Sequence, residues 1–106
     1  MMVEEQDRKD AVLLAMSDRY MRRIIAATMV DDKSIEDIAK EKEIPVSTCY
    51  RRVHELMDLR LLRVARTIIT ETGKKYETYR CAFSDAKISM SSVGFAVEVT
   101  VIPRTA

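Results

Sequence analysis

Five side chains between Pro45 and Leu59 have the types and spacing to work on a polyanion: Ser47, Thr48, Tyr50, Arg51 and His54. At helical periodicity Cys49, Val53 and Leu56 fall within about 60° of one another and form an apolar stripe that must face a core. That stripe turns Ser47, Arg51, His54 and Asp58 to the opposite side, with Thr48, Tyr50 and Glu55 on the flanks. In a major groove an arginine makes a bidentate contact with guanine O6 and N7, while hydroxyls and a helix N-terminus suit phosphate oxygens. A second group follows at Gly73, Lys74 and Lys75, where a glycine able to take positive φ brings two lysines to a turn that can meet a phosphate backbone or minor groove.

Positioning these groups requires a definite set of elements. Ser34 suits a helix N-cap, with Asp37 three residues on as a short-armed capping-box partner and Glu36 favouring the positive helix end. Ile35, Ile38 and Ala39 supply that helix with a buried stripe as far as Glu41 or Lys42. Glu43-Ile44-Pro45 is the turn: Pro45 disfavours helix at Ile44 and pre-sets φ for the next helix, which runs to Asp58 or Leu59. After Leu62 the period changes to two, and Val64, Arg66 and Ile68 alternate with Arg63, Ala65, Thr67 and Ile69. Thr72-Gly73-Lys74 marks a turn, and Lys75–Phe83 reads as the return strand. Helix, turn, helix and basic hairpin in this order predict an α+β fold of the winged helix-turn-helix plan, a three-helix core with a β-hairpin wing.

The flanks complete the plan. Residues 1–9 are polar and fray or extend the first helix, and Asp10–Met29 carries helical periodicity through Val12, Leu13, Met16, Tyr20, Met21, Ile24, Ile25, Thr28 and Met29. Ser17-Asp18 is a place for a fresh helical start, so this stretch is one rod or two segments. Arg19, Arg22 and Arg23 read as its solvated side. Val30–Lys33 is an acidic loop. Beyond Ser84-Asp85 a second hairpin is expected, with Ala86, Ile88 and Met90, a turn at residues 91–94, then Phe95, Val97, Val99 and Val101 alternating with polar neighbours until Pro103. A lone two-stranded ribbon is marginal in water, so its apolar face needs a cover. That cover is either the chain's own first helix or a second copy, and the second is preferred because a minimal winged helix fills its core without the addition. Residues 1–83 are thus expected to form the DNA-binding domain, and residues 84–106 a C-terminal hairpin extension of the same domain or of a dimer interface.

Composition narrows the alternatives. With 106 residues, 47% hydrophobic and 33% charged, the chain suits one soluble domain with a modest core. The charged N-terminus does not resemble a secretory signal and no apolar run approaches a membrane span, so a cytoplasmic location is expected. Net charge is only +1, but its distribution is uneven: residues 1–44 hold 8 basic and 11 acidic side chains, whereas residues 45–83 hold 8 basic and 4 acidic. Positive charge gathers where phosphate contacts need it. Cys49 and Cys81 lie far apart in sequence and the chain has a single histidine, so neither a metal site nor a cofactor is expected. A buried strand thiol is the expectation for Cys81, with oxidant sensing possible only if it is exposed. Catalysis is not expected either, since no acid–nucleophile arrangement or Gly-rich phosphate loop is visible.

The segment SIEDIAKEKEIPVSTCYRRVHELMDLRLLRV resembles the ArsR-like winged helix-turn-helix transcriptional regulators, most of all their small archaeal members. The likeness rests on IEDIA, on IPVSTCYRRVHEL with its Ser-Thr-x-Tyr-Arg core, and on RLL leading to a hairpin ending YETYRC. It extends over roughly residues 11–83, and the final hairpin is similar to an appendix in some archaeal relatives. The resemblance implies a homodimer on double-stranded DNA. It places Ser47, Thr48, Tyr50 and Arg51 at recognition-helix positions and Gly73, Lys74 and Lys75 at the wing tip. Metal-sensing members carry cysteine pairs or carboxylate and histidine sets, which this chain lacks; Cys49 stands where the family has an apolar core residue. Operator, direction of regulation and any small-molecule effector are outside the sequence's reach. The competing function is a protein-interaction module that keeps the fold without reading DNA.

Overall fold

The computed structural model describes residues 3–103; the ends of the two expected units, residues 1–2 and 104–106, lie outside the described residues. Among the described residues the chain is α+β, with four helices and two small antiparallel sheets. The N-terminal helical stretch is two segments, α1 (Val3–Met16) and α2 (Arg19–Thr28). Asp18 makes the break: its backbone is extended, and its carboxylate accepts the N–H groups of Tyr20 and Met21, each at 2.9 Å. Such a cap satisfies donors that would otherwise be orphaned at the start of α2.

A two-residue strand, β1 (Lys33–Ser34), precedes α3 (Ile35–Lys42) and α4 (Val46–Asp58). Ser34 caps α3 as expected, its Oγ accepting the Asp37 N–H at 3.2 Å. The link between the helices turns at Glu43, in the left-handed region with φ 54°, while Ile44 is buried and donates to the Ala39 carbonyl at 2.9 Å. Pro45 then holds φ −55° at the start of α4. Cys49, Val53 and Leu56 are fully buried, so α4 packs on the stripe predicted from its spacing. They meet Ile38 and Ala39 of α3, Met21, Ile24 and Ile25 of α2, and Val12 and Ala15 of α1 in one core.

The end of α4 closes in a Schellman arrangement: Arg60 N–H donates to Met57 O at 2.9 Å and Leu61 N–H to Leu56 O at 3.0 Å. Arg60 takes φ 62°, a position that glycine usually fills. The chain then enters β2 (Leu62–Ile69) and returns in β3 (Lys75–Cys81), with a bulge between Val64 and Arg66. Sheet order is β1-β3-β2, β1 pairing Lys33 with Tyr79 and Ser34 with Thr78. The short strand was not foreseen, since Val30–Lys33 read as loop.

The second sheet is the hairpin β4 (Phe83–Ser91) and β5 (Gly94–Val101), in register Ala86↔Val99, Ile88↔Val97 and Met90↔Phe95. Its root is tied in: Ala82 N–H donates to Leu61 O and Ile102 N–H to Ala82 O, both at 2.9 Å. Phe83 and Val97 are buried in the common core, Ala86 and Val99 pack against it, and β5 lies along α1. The first helix therefore covers part of the apolar face. Beyond that, Ile88 (46% exposed), Phe95 (59%), Met90 (83%) and Val93 (96%) stand in solvent. The projecting arm gives extents of 57 × 33 × 21 Å and a radius of gyration of 15.0 Å, against about 13 Å for a compact chain of this length. No helix among the described residues is long and apolar enough to cross a membrane.

Candidate nucleic-acid interface

Helix α4 displays the expected group along its outer side. Ser47, Tyr50 and Arg51 are exposed, Thr48 is half-buried, and His54 is half-buried beneath Tyr50, their rings 4.4 Å apart and tilted by 50°. His54 is thus in part a support for the Tyr50 ring. Pro45 at the head of α4 supplies no side-chain cap, so the first N–H groups of this helix are open to an external acceptor.

The two consecutive arginines divide. Arg52 points back into the protein, with Nη2 3.1 Å from Asp18 Oδ2 and Nη1 2.7 Å from Glu55 Oε1. Asp18 therefore caps α2 with one oxygen and holds α4 with the other. This bridge ties α4 to the head of α2, while the neighbouring Arg51 is left on the exposed side. Among the described residues the Arg51 side chain has no hydrogen bond or ion pair.

The β2–β3 turn is built on Thr70. Its N–H donates to Lys74 O at 2.8 Å, its Oγ1 accepts the Lys74 N–H at 3.0 Å, and its carbonyl accepts the Gly73 N–H at 2.9 Å. Gly73 takes φ 84°, the positive value its position requires. Lys74 and Lys75 are exposed and, with Ser34, Glu36, Asp37 and Tyr76, border a cleft of about 590 Å³ between the turn and the start of α3. The fold thus brings the two lysines to the head of α3, and Ser47–His54 do not line that cleft. Tyr79 of β3 also borders the cleft, and its phenol is raised in pKa mainly by burial, then by Glu77 and by Tyr50.

Asp32 anchors this hairpin, although its sequence context, Val30–Lys33, reads only as an acidic loop. Its Oδ2 accepts from Arg66 Nε at 2.7 Å and from the Thr78 hydroxyl, joining the α2–β1 loop to β2 and β3. The Thr78 hydrogen bond, then Arg66, hold the carboxyl below its ordinary 3.8. A lowered folded-state pKa means stabilisation that is complete above the unfolded value and lost as pH falls through the folded one. Asp32→Asn should therefore be less stable than wild type at neutral pH, with the gap closing below 3.8. Thermal melts across this acid range check it, and curves that stay parallel would rule it out.

Three other arginines of the helical part are engaged. Arg19 and Arg23 stack over Tyr20, and Arg22 donates to the Met16 carbonyl. Cys49 is buried with Sγ donating to Ile35 O at 3.6 Å, and desolvation raises its pKa to about 11. Cys81 is also buried and its pKa raised by desolvation, so neither thiol is poised to ionise or to meet oxidants. In comparisons with known proteins, no family model and no curated protein matches this chain.

Proposed function

We propose that this chain is a winged helix-turn-helix transcription regulator of ArsR-like type that binds double-stranded DNA in the cytoplasm as a homodimer. Helix α4 lies in the major groove, and the β2–β3 hairpin is the wing on the backbone or minor groove. The observation that carries this reading is the split between neighbours on α4: Arg52 is tied to Asp18 and Glu55, while Arg51 is aimed outward unpaired beside Ser47 and Tyr50. An uncapped helix head and two exposed lysines on the following hairpin add donors of the kind that phosphates take. No catalytic residue, metal or cofactor is assigned.

Fluorescence anisotropy with duplex DNA across a salt series tests it. Affinity should fall steeply with salt as released counterions are re-taken, and absence of binding to any duplex near ~50 mM salt would overturn the reading. One observation favours the alternative of a protein-interaction module: the exposed apolar end of the β4–β5 arm. Under the DNA reading a second copy of this chain accounts for that end.

A further inference from the structure

A second cleft, of about 570 Å³, opens at the root of the β4–β5 arm, away from the residues assigned to DNA. Arg8 of α1, Arg60 after α4 and Arg63 of β2 border it, over a floor that includes Met57, Phe83 and Val101. Three arginines from separate parts of the chain border it, and no Asp or Glu is among its described lining residues. Several other arginines are paired within the fold: Arg52 and Arg66 have carboxylates, and Arg22 and Arg80 have backbone carbonyls. Arg63 spends one nitrogen on Ile102 O at 2.9 Å, which orients its guanidinium. The side chains of Arg8 and Arg60 have no hydrogen bond or ion pair among the described residues.

Backbone geometry adds an independent observation. Arg60 occupies the left-handed position of a Schellman turn where glycine is unstrained, at φ 62°. A long cationic side chain there costs conformational energy and makes no contact in the protein that explains it. The cleft volume suits a small organic ligand, and its lining pairs an apolar floor with a few polar groups. Guanidiniums match carboxylate, sulfonate and phosphate oxygens with parallel hydrogen bonds.

We propose that this cleft is a binding site for an organic anion with an apolar body, its headgroup held by Arg8, Arg60 and Arg63 and its body lying on Met57, Phe83 and Val101. This goes beyond the DNA reading and does not depend on it. A ligand there touches the end of α4, the start of β2 and the root of β5 together.

The test is an NMR titration of the isotope-labelled full chain with naphthalene-2-carboxylate and with decanoate, beside 2-naphthylmethanol and inorganic phosphate. At least one of the two organic anions should shift the amides of residues 57–64, 82–83 and 101. It should bind at least about tenfold tighter than the neutral alcohol or phosphate. Arg8→Gln with Arg60→Gln should weaken that anion at least about tenfold. Arg60→Gly removes the guanidinium while relieving the backbone, so it should lose affinity without a lower melting temperature, which a purely structural role for Arg60 would not give. The proposal is overturned if the shifts map to residues 88–95, if the alcohol binds as tightly, if the arginine variants bind unchanged, or if neither anion binds at millimolar concentration. Because no DNA is present, a failure here is separate from a failure of the DNA titration.

Discussion

Reversing charge at Arg51 and Lys74 together, Arg51→Glu with Lys74→Glu, should lower affinity for duplex DNA by about 100-fold or more, roughly 3 kcal/mol, and leave folding stability near wild type. Both side chains are exposed and neither has a hydrogen-bond or ion-pair partner among the described residues, so the folded chain loses no such contact when they change. On DNA each reversal removes a favourable contact and adds repulsion from the phosphates, and the salt dependence should flatten as fewer counterions are displaced. The neighbouring change, Arg52→Ala, should do the reverse. It breaks the links to Asp18 and Glu55, and with a quarter of the side chain still exposed the cost is about 1–2 kcal/mol, or roughly 5–10 °C in melting temperature. Its DNA affinity falls only as far as α4 loosens. Anisotropy and thermal melts on both variants decide the matter. If Arg51→Glu with Lys74→Glu binds DNA as wild type does, α4 and the β2–β3 hairpin are not the reading surface, and the interaction-module reading gains. If Arg52→Ala melts as wild type does, the Asp18 bridge does not position α4.

That pair also shows where the sequence is legible and where it stops being so. Periodicity placed Cys49, Val53 and Leu56 inside because three apolar positions on one helical stripe admit one orientation, and burial of all three agrees. Ser34, Pro45 and Gly73 were readable for a similar reason: each acts through its own backbone or its next few neighbours. Arg51 and Arg52 differ only through residues distant in the chain, chiefly Asp18, and no local pattern separates them. Asp32 was missed on the same ground, since its partners Arg66 and Thr78 lie more than thirty positions away. Strand β1 is two residues long and exists only because β3 runs beside it, so it has no period to detect. The two helix ends at Glu43 and Arg60 turn left-handed without glycine, yet Pro45 and the change of period after Leu62 still mark where α3 and α4 stop. The cover of the second hairpin was open between the first helix and another copy; α1 and the core take its root, and the outer half is left in solvent.

Met90→Asp with Phe95→Asp should convert the protein from the mass of two chains to that of one, 12.2 kDa, in size-exclusion with light scattering. In the register of this hairpin, Ile88↔Val97 and Met90↔Phe95 put four apolar side chains on one face, and beyond Val97 that face is uncovered. With Val93 at the tip, these exposed apolar side chains stand together at the end of the arm, and apolar patches of a few hundred Å² mark interaction sites on monomers. Such a patch falls short of the roughly 800 Å² per partner of a standard interface, so the contact must also recruit backbone. The sheet provides it, because a two-stranded ribbon has both outer edges unpaired and a second copy laid against one edge makes four strands. A carboxylate forced into that contact on each chain twice over costs about 4 kcal/mol or more, which raises the dimer dissociation constant about a thousandfold. Each folded chain should survive, since Met90 and Phe95 are already exposed in it and their replacement removes little packing. On a two-fold operator the variant loses the gain from binding two half-sites through one linked body, so its affinity should drop by about 100-fold, while its affinity for a single half-site holds. A wild-type protein that runs as one chain, or a variant that still runs as two, would remove the arm as the element that sets half-site spacing.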